Sequence, residues 1–592
     1  MPRTRCVPWY LAMLAILLPF TARAQWLPDG VKVATGLSTL ISAPPVPVLD
    51  GLGGAVFAAD ELAKPDPPRG SVARVRADGT LPAGWPAAGV PPAFLSFGTT
   101  SDGAGGAYVG RLTTEPMPSL VVFHVLASGA LDPAWPPAGR VVADSAAGFH
   151  GMQLLADGSG GLYAFSDVTS TNESGVYDGR LRALRLQSNG APAPGWSEGG
   201  VLLARAPFVQ RQGRAFVSSA GVILYGEWEA NGPAPFPNGP RTPYVVGLTP
   251  NGGVLPGWTS YSMPVPLTAT GDAVQLVPDG SGGAFYAVTP LNAHRTTIQH
   301  LRVSGTLDPV WPAGGVALVA DTSALAQMSV IAHDGAEGCF AFGLRVEGPV
   351  PGVERSSLLH LQADGAPAPG WPVELAAEWN TQGQLPEGRL AIVPDGRGGA
   401  FLHELEQIIF GPFESGFRRL RVQHFAHTGQ VAAYWPAEGR VFAAQPGIRR
   451  SMSAISDGHG GVLVSWLDNR ADTAAFATVD LYALGIGPDG SFTTGVSPVP
   501  AVGVKMSASP VPAFGESRLS FALPARAHVS LAVFDVGGRR VRRLHEGALE
   551  AGPHTMAWDG RDEAGRPMPQ GVYLARATMN GVASDTRIVR LR

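Results

Sequence analysis

The residues best able to do chemistry in this chain are an aspartate that returns at near-regular intervals and a tryptophan that follows it. Asp50, Asp102, Asp157, Asp279, Asp334, Asp395 and Asp457 each open an Asp-Gly turn that runs through glycines into an apolar strand start, as in Asp102-Gly-Ala-Gly-Gly-Ala-Tyr108. Ser219-Ala-Gly221 is a worn eighth copy. Calcium is the first chemistry such loops suggest, but an oxygen cage needs several carboxylates close together and each loop offers one. The Asp carboxylate can instead accept bonds from nearby backbone amides, while the glycines permit positive φ, so the turns need no ligand.

The second phrase is a turn carrying Trp with Gly four residues on: Trp85, Trp135, Trp196, Trp311 and Trp435, with Trp258 and Trp371 keeping the Trp and losing the Gly. One Trp per repeat could suggest an aromatic ligand ring or the blade-docking tryptophans of quinoproteins. Packing between repeats accounts for it more simply, because large aromatics carry much buried area. No motif marks a metal-binding carboxylate cluster or a catalytic base. Neither His-Glu-x-x-His, Gly-x-Ser-x-Gly, a phosphate loop nor the sialidase Asp-box occurs. His294, His300, His403 and His424 read as isolated surface or capped histidines. The expectation is no catalytic residue, no metal and no cofactor.

Self-similarity at 50 to 62 residues is the mark of a propeller or solenoid. The two chain ends discriminate between them. The eighth repeat, after Asp457, has no Trp half, and Trp26-Leu-Pro-Asp-Gly30-Val-Lys-Val supplies that half ahead of the first repeat. An all-β, eight-bladed β-propeller closed by an N-terminal strand follows, since closure removes strand edges that would template aggregation. In the third repeat GMQLLADG, GGLYAFSD, RLRALRLQSNG and VLLARA read as the four strands of one blade.

Residues 1–24 pair Arg3 and Arg5 with an apolar run from Leu11 to Leu18 and Ala22-Arg-Ala24, the pattern of a secretory signal peptide. Its removal leaves Cys339 as the only cysteine, expected as a buried small hydrophobe. It also moves the formal charge from −4 to −7 by taking Arg3, Arg5 and Arg23. With no basic excess, nucleic-acid binding has no electrostatic basis. No transmembrane segment is expected in the mature chain.

The propeller reading covers residues 25–492, a Pro, Ser, Thr and Val-rich linker covers 493–510, and 511–592 alternate apolar and polar as a small antiparallel Ig-like β-sandwich. Here Val533-Phe-Asp-Val-Gly-Gly-Arg539, Ala551-Gly-Pro-His554, Trp558-Asp-Gly-Arg-Asp562 and Gly571-Val-Tyr573 resemble the Ig-like domain of flagellar hook-capping proteins and of type IX secretion sorting domains. Where the sorting family carries Asn-Pro, this chain reads Ser509-Pro-Val-Pro512. The repeats also resemble Asp-Gly-x-Gly-Gly units of secreted bacterial proteins, most clearly from Asp457 to Arg470. The resemblance implies export across an outer membrane, through an export machinery that reads the C-terminal domain, to release or display at the cell surface.

In a four-stranded meander the first and third turns share one face, and both repeated phrases are such turns. The second turns vary in length and content, which makes theirs the candidate ligand face. Tyr177, Trp228, Phe236, Phe413 and the Asp468-Asn469-Arg470 cluster are its candidate contacts for a carbohydrate or protein ligand. The expected function is a secreted or surface binding, scaffold or adhesion module, not an enzyme. The alternative is a polysaccharide-active hydrolase or lyase with its acid and base in the propeller channel.

Overall fold

A computed structural model describes residues 26–492 and 506–591, apart from 39–46, 62–68, 86–94, 114–117, 145–148, 172–176, 204–208, 219–220, 230–240, 259–262, 265–270, 291–295, 319–329, 348–352, 376–389, 409–416, 446–448, 471–477, 511–512, 514, 524–526, 536–538, 550–551 and 580–581. The chain divides into two compact units, Met1–Val496 and Ser497–Arg592. Every regular element among the described residues is a β-strand.

The first unit is a series of small antiparallel meanders. The third repeat is representative: Phe149–Ala156, Leu162–Thr171, Tyr177–Leu186 and Val201–Leu202 pair in that order, with Leu162 opposite both Ala156 and Leu186. The four segments read from its sequence are these four strands. Seven of the unit's eight sheets have four described strands, and Val48–Leu49, Ala55–Glu61 and Arg69–Val75 form a three-stranded one. In the last sheet the fourth strand comes from the far end of the chain. Val31–Ser38 pairs antiparallel with Thr478–Ile486, placing Lys32 opposite Tyr482 and its Nζ 2.8 Å from Asp480.

The Asp-Gly turn joins the first and second strands and is held by its own carboxylate. In all seven Asp copies one oxygen accepts the amide N–H groups two and four residues on. The glycine four residues on is needed for space. At Gly106 a Cβ would overlap the Val125 carbonyl and stand 2.5 Å from Oδ2 of Asp102.

The Trp phrase joins the third and fourth strands and reaches across to the following sheet. The Trp311 indole N–H donates to the Ala363 carbonyl at 2.8 Å, in a turn of the next repeat. The same bond runs from Trp85 to Ala127, Trp135 to Ser188, Trp196 to Pro250, Trp258 to Val303, Trp371 to His427 and Trp435 to Pro488. Trp26 makes it too, to Ala77 of the first repeat. The ring of Trp311 lies over Gly365, where φ is +79° and a Cβ would stand 3.0 Å from the indole. Glycine is needed there both for the left-handed backbone and for the approach of the ring.

The core is a set of aromatic and aliphatic clusters lodged between successive sheets. Phe340, Phe342 and Trp371 of the sixth repeat pack with Leu402 and Phe425 of the seventh. One cluster joins Phe57 and Val75 of the first repeat to Trp26, Val464 and Trp466 of the last sheet and to Phe401 of the seventh repeat.

In the second unit Ser507–Ser509, Ser517–Leu523 and Gly552–Trp558 form one sheet. Arg540–Leu549, Ala527–Asp535, Gly571–Met579 and Val582–Arg590 form the other. Phe521, Val529, Leu531, Val533, Trp558, Tyr573 and Ile588 fill the space between them. This is the two-sheet sandwich expected from the alternation.

Replacing Trp311 by Phe keeps a ring over Gly365 but removes the donor to Ala363. The expected loss is about 1 kcal/mol, read as a lower urea midpoint. Trp311→Ala, which also empties the site, is expected to cost about 3–5 kcal/mol.

Candidate functional site

Two oxygens are available on each repeat aspartate, and the turn amides take one. In six repeats the other faces a basic residue on the third strand: Arg74, His124, Arg185, His300, His360 or His424. In five of the six the second strand lays an aromatic ring on that residue, Arg74 standing instead opposite Val56. Tyr108 stacks on His124 at 4.4 Å, Phe285 on His300 at 4.7 Å, Phe340 on His360 at 4.2 Å and Phe401 on His424 at 4.1 Å. Arg185 lies over Tyr163 at 5.3 Å. The repeat tryptophan closes the box, with Trp311 at 5.6 Å from Phe285 and 5.8 Å from His300.

His300 and His424 are therefore capped by repeat aspartates, as one half of their reading had it, but they are buried and neither isolated nor at the surface, which corrects the other half. The register explains the pattern, because the third-strand residue stands directly opposite the aromatic: Tyr108 with His124, Phe285 with His300, Phe340 with His360 and Phe401 with His424. The fourth repeat, which has no Asp, places Gly247 at this position, and the eighth places Gly485 there.

Burial alone would push the carboxyls of Asp102, Asp279, Asp334 and Asp395 upward. Hydrogen bonds from the histidines and from backbone amides outweigh it and hold all four below the ordinary carboxylate range. His403, by contrast, is fully buried on the second strand of the seventh repeat, and desolvation pushes it down to about 3. Cys339 is buried, and the cost of desolvating a thiolate raises its thiol. Among the described residues no three His, Cys, Asp or Glu side chains stand close enough to hold a metal ion. His294 lies outside the described residues.

The candidate contacts fall in different places. Asp468 is fully buried, and Arg449 and Arg470 both bond its Oδ2, at 3.0 and 2.7 Å. The Trp466 indole N–H donates to the same oxygen at 3.1 Å. Arg470 continues outward, donating to the Asp29 carbonyl at 2.8 Å and lying 4.1 Å above the Tyr482 ring. Asn469 is 5% exposed. The cluster ties the N-terminal segment to the last sheet and is consumed in doing so. Arg449, which is wholly buried and comes from the strand Arg449–Ser456, went unnoticed in the sequence because nothing near it shows a partner.

Tyr177 begins the strand Tyr177–Leu186 opposite Thr171, and Trp228 lies in Gly221–Glu229 between Gln210 and Thr242. These two stand at the second-turn end of their sheets, as expected from the meander. Phe236 and Phe413 lie outside the described residues.

Comparison with known proteins matches residues 507–581 to the FlgD Ig-like domain. No curated protein matches the chain. Among solved structures, FLGD from P. aeruginosa is 31% identical over 12% of this chain and 58% of its own, with a TM-score of 0.11. The chain thus spans 58% of the length of that structure. A puromycin hydrolase is 14% identical over 74% of this chain and 62% of its own, with a TM-score of 0.36. An alpha-L-arabinanase from Penicillium chrysogenum complexed with arabinobiose is 12% identical over 60% of this chain and 93% of its own, with a TM-score of 0.27.

Asp468→Ala leaves Arg449 charged and buried without its carboxylate. A loss of about 3 kcal/mol or more is expected, measured by chemical denaturation.

Proposed function

We propose that residues 25–492 form an eight-bladed ring closed by Val31–Ser38, and that the protein is a secreted or surface-displayed binding scaffold. The observation that carries this reading is where the recurrent residues go. Each repeat tryptophan is used on the neighbouring sheet, from Trp26 to Ala77 at one end of the series to Trp435 to Pro488 at the other. The repeat aspartates and their third-strand partners are used on the turns. What varies from repeat to repeat is the set of second turns, and a rigid scaffold presenting variable loops is the usual arrangement for recognition. The pairing of Lys32 with Tyr482 supports closure, as does the core shared by Phe57, Trp26 and Trp466.

Cleavage after Ala24 would deliver the mature chain beyond the inner membrane, and the C-terminal Ig-like domain would serve its onward export or display. Trp228 and Phe236 of the fourth repeat are, by residue type, the aromatic candidates to contact a sugar or peptide ligand.

The test is a glycan and peptide array probed with the mature chain, with polysaccharide cleavage assayed in parallel. Binding without product release is expected, weakened tenfold or more by Trp228→Ala with Phe236→Ala. Release of oligosaccharide products would replace this reading with a hydrolase or lyase. Closure has its own consequence. Deleting Gln25–Ser38 would expose the edge of Thr478–Ile486, and the shortened chain is expected to self-associate on gel filtration where the full mature chain elutes as a single species.

A further inference from the structure

His124 and His300 sit between two carboxylates. In the second repeat Nδ1 of His124 is 2.8 Å from Oδ2 of Asp132, and Nε2 is 3.1 Å from Oδ2 of Asp102. In the fifth, both ring nitrogens of His300 stand 2.9 Å from carboxylate oxygens, Nδ1 from Asp308 and Nε2 from Asp279. His424 has the same arrangement with one change of acceptor: Nε2 is 3.0 Å from Asp395, and Nδ1 is 2.9 Å from the Pro488 carbonyl that Trp435 also bonds. Carbonyl and carboxylate oxygens only accept, and a neutral imidazole has one N–H. Both bonds of such a ring are made together only when it carries two protons.

The other repeats show what the position requires. Arg74 bonds Asp50 and also the Ala127 carbonyl of the next repeat, and Arg185 bonds Asp157 and the Pro250 carbonyl of the next. Arginine is a cation with donors on both sides at any pH. Histidine fills the role conditionally.

We propose that His124, His300 and His424 are proton-operated clamps that, when doubly protonated, fasten the Trp135 and Trp311 turns to the scaffold and, at His424, hold the Pro488 carbonyl of the next repeat that Trp435 also bonds, and that each releases one bond on losing a proton. Asp132 and Asp308 belong to the turns that carry Trp135 and Trp311, whose amides bond the Asp132 and Asp308 carbonyls. Those tryptophans in turn hold the next sheet through Ser188 and Ala363. Loss of the proton therefore loosens a contact between repeats.

The groups facing each ring fix the direction. His124 meets Asp102, Asp132, Tyr108 and Trp135, and among the described residues no other cation is bonded to either carboxylate. His300 meets Asp279, Asp308, Phe285 and Trp311, and Arg302 bonds the other oxygen of Asp308 at 2.7 Å. His424 meets Asp395, Phe401 and Trp435, with His403 nearby and neutral. A proton that the two-acceptor geometry requires contributes only while the ring holds it, so its contribution is withdrawn as pH rises. The carboxylates of Asp102, Asp279 and Asp395 are held low, so their share is present in mild acid and is lost only in stronger acid.

The experiment follows urea unfolding of the mature chain by tryptophan fluorescence from pH 5.5 to 8.5. The unfolding equilibrium is expected to shift toward the unfolded state by about tenfold per clamp across that range. His124→Gln with His300→Gln is expected to flatten the dependence at the lower level, and His424→Arg to flatten its share at the upper one. An undiminished pH slope in the Gln pair would overturn the proposal. Independently of any variant, histidine-selective nitrogen NMR at pH 6 is expected to show three rings with both nitrogens protonated and shielded from exchange. Buried rings with a single protonated nitrogen would overturn it equally.

Discussion

The first unit depends on one contact: an indole lying on the bare backbone of the next repeat's turn, with its N–H directed at a carbonyl of that turn. Small sheets of four strands are marginal alone, because each has two apolar faces and little area to bury on its own. The tryptophan supplies both a large apolar surface and a directional bond. The glycine beneath it, as at Gly365 under Trp311, lets that surface reach the backbone. The Asp-Gly turn and its third-strand base serve this contact by fixing the strand from which the tryptophan turn departs.

The polar interior of the repeat follows the same logic. Burying an aspartate is costly unless it is paired and hydrogen-bonded. Here the turn amides occupy one oxygen and a base, in five repeats with an aromatic laid on it, occupies the other. Asp50 with Arg74 and Asp279 with His300 are two solutions to one problem, and they differ in how they answer to protons. The glycines at 247 and 485 show that a repeat can also omit the base. At Gly247 the ring of Trp258 moves into the vacated space, within 2.8 Å of where a Cβ would stand.

Much of the architecture could be read from the sequence because its determinants are local. An Asp and a Gly four residues apart make their own turn, so Asp102 and Gly106 announce it. The complementary ends were legible because Trp26 carries the spacing of its siblings, and its strand does pair beside Tyr482. Partners distant in sequence were not legible. His300 looks isolated because Asp279 lies 21 residues before it and is brought near by a strand pairing. Asp468 and Arg470 look like loop residues by composition, and their burial is decided by Arg449 on a neighbouring strand and by the Asp29 carbonyl from the opposite end of the chain. Tyr177 and Trp228 were placed at the right end of their strands because the meander dictates which turns share a side.

The acceptors of the eight indole bonds belong to Ala77, Ala127, Ser188, Pro250, Val303, Ala363, His427 and Pro488, which share no side-chain chemistry. A joint made to the peptide unit is indifferent to the side chain of the residue that lends its carbonyl, so long as a glycine such as Gly365 is kept beneath the ring. Gene duplication could therefore copy one unit and seat it against any other without co-adapting a surface, leaving each copy at liberty to diverge in its outer loops while its fit to both neighbours is inherited intact.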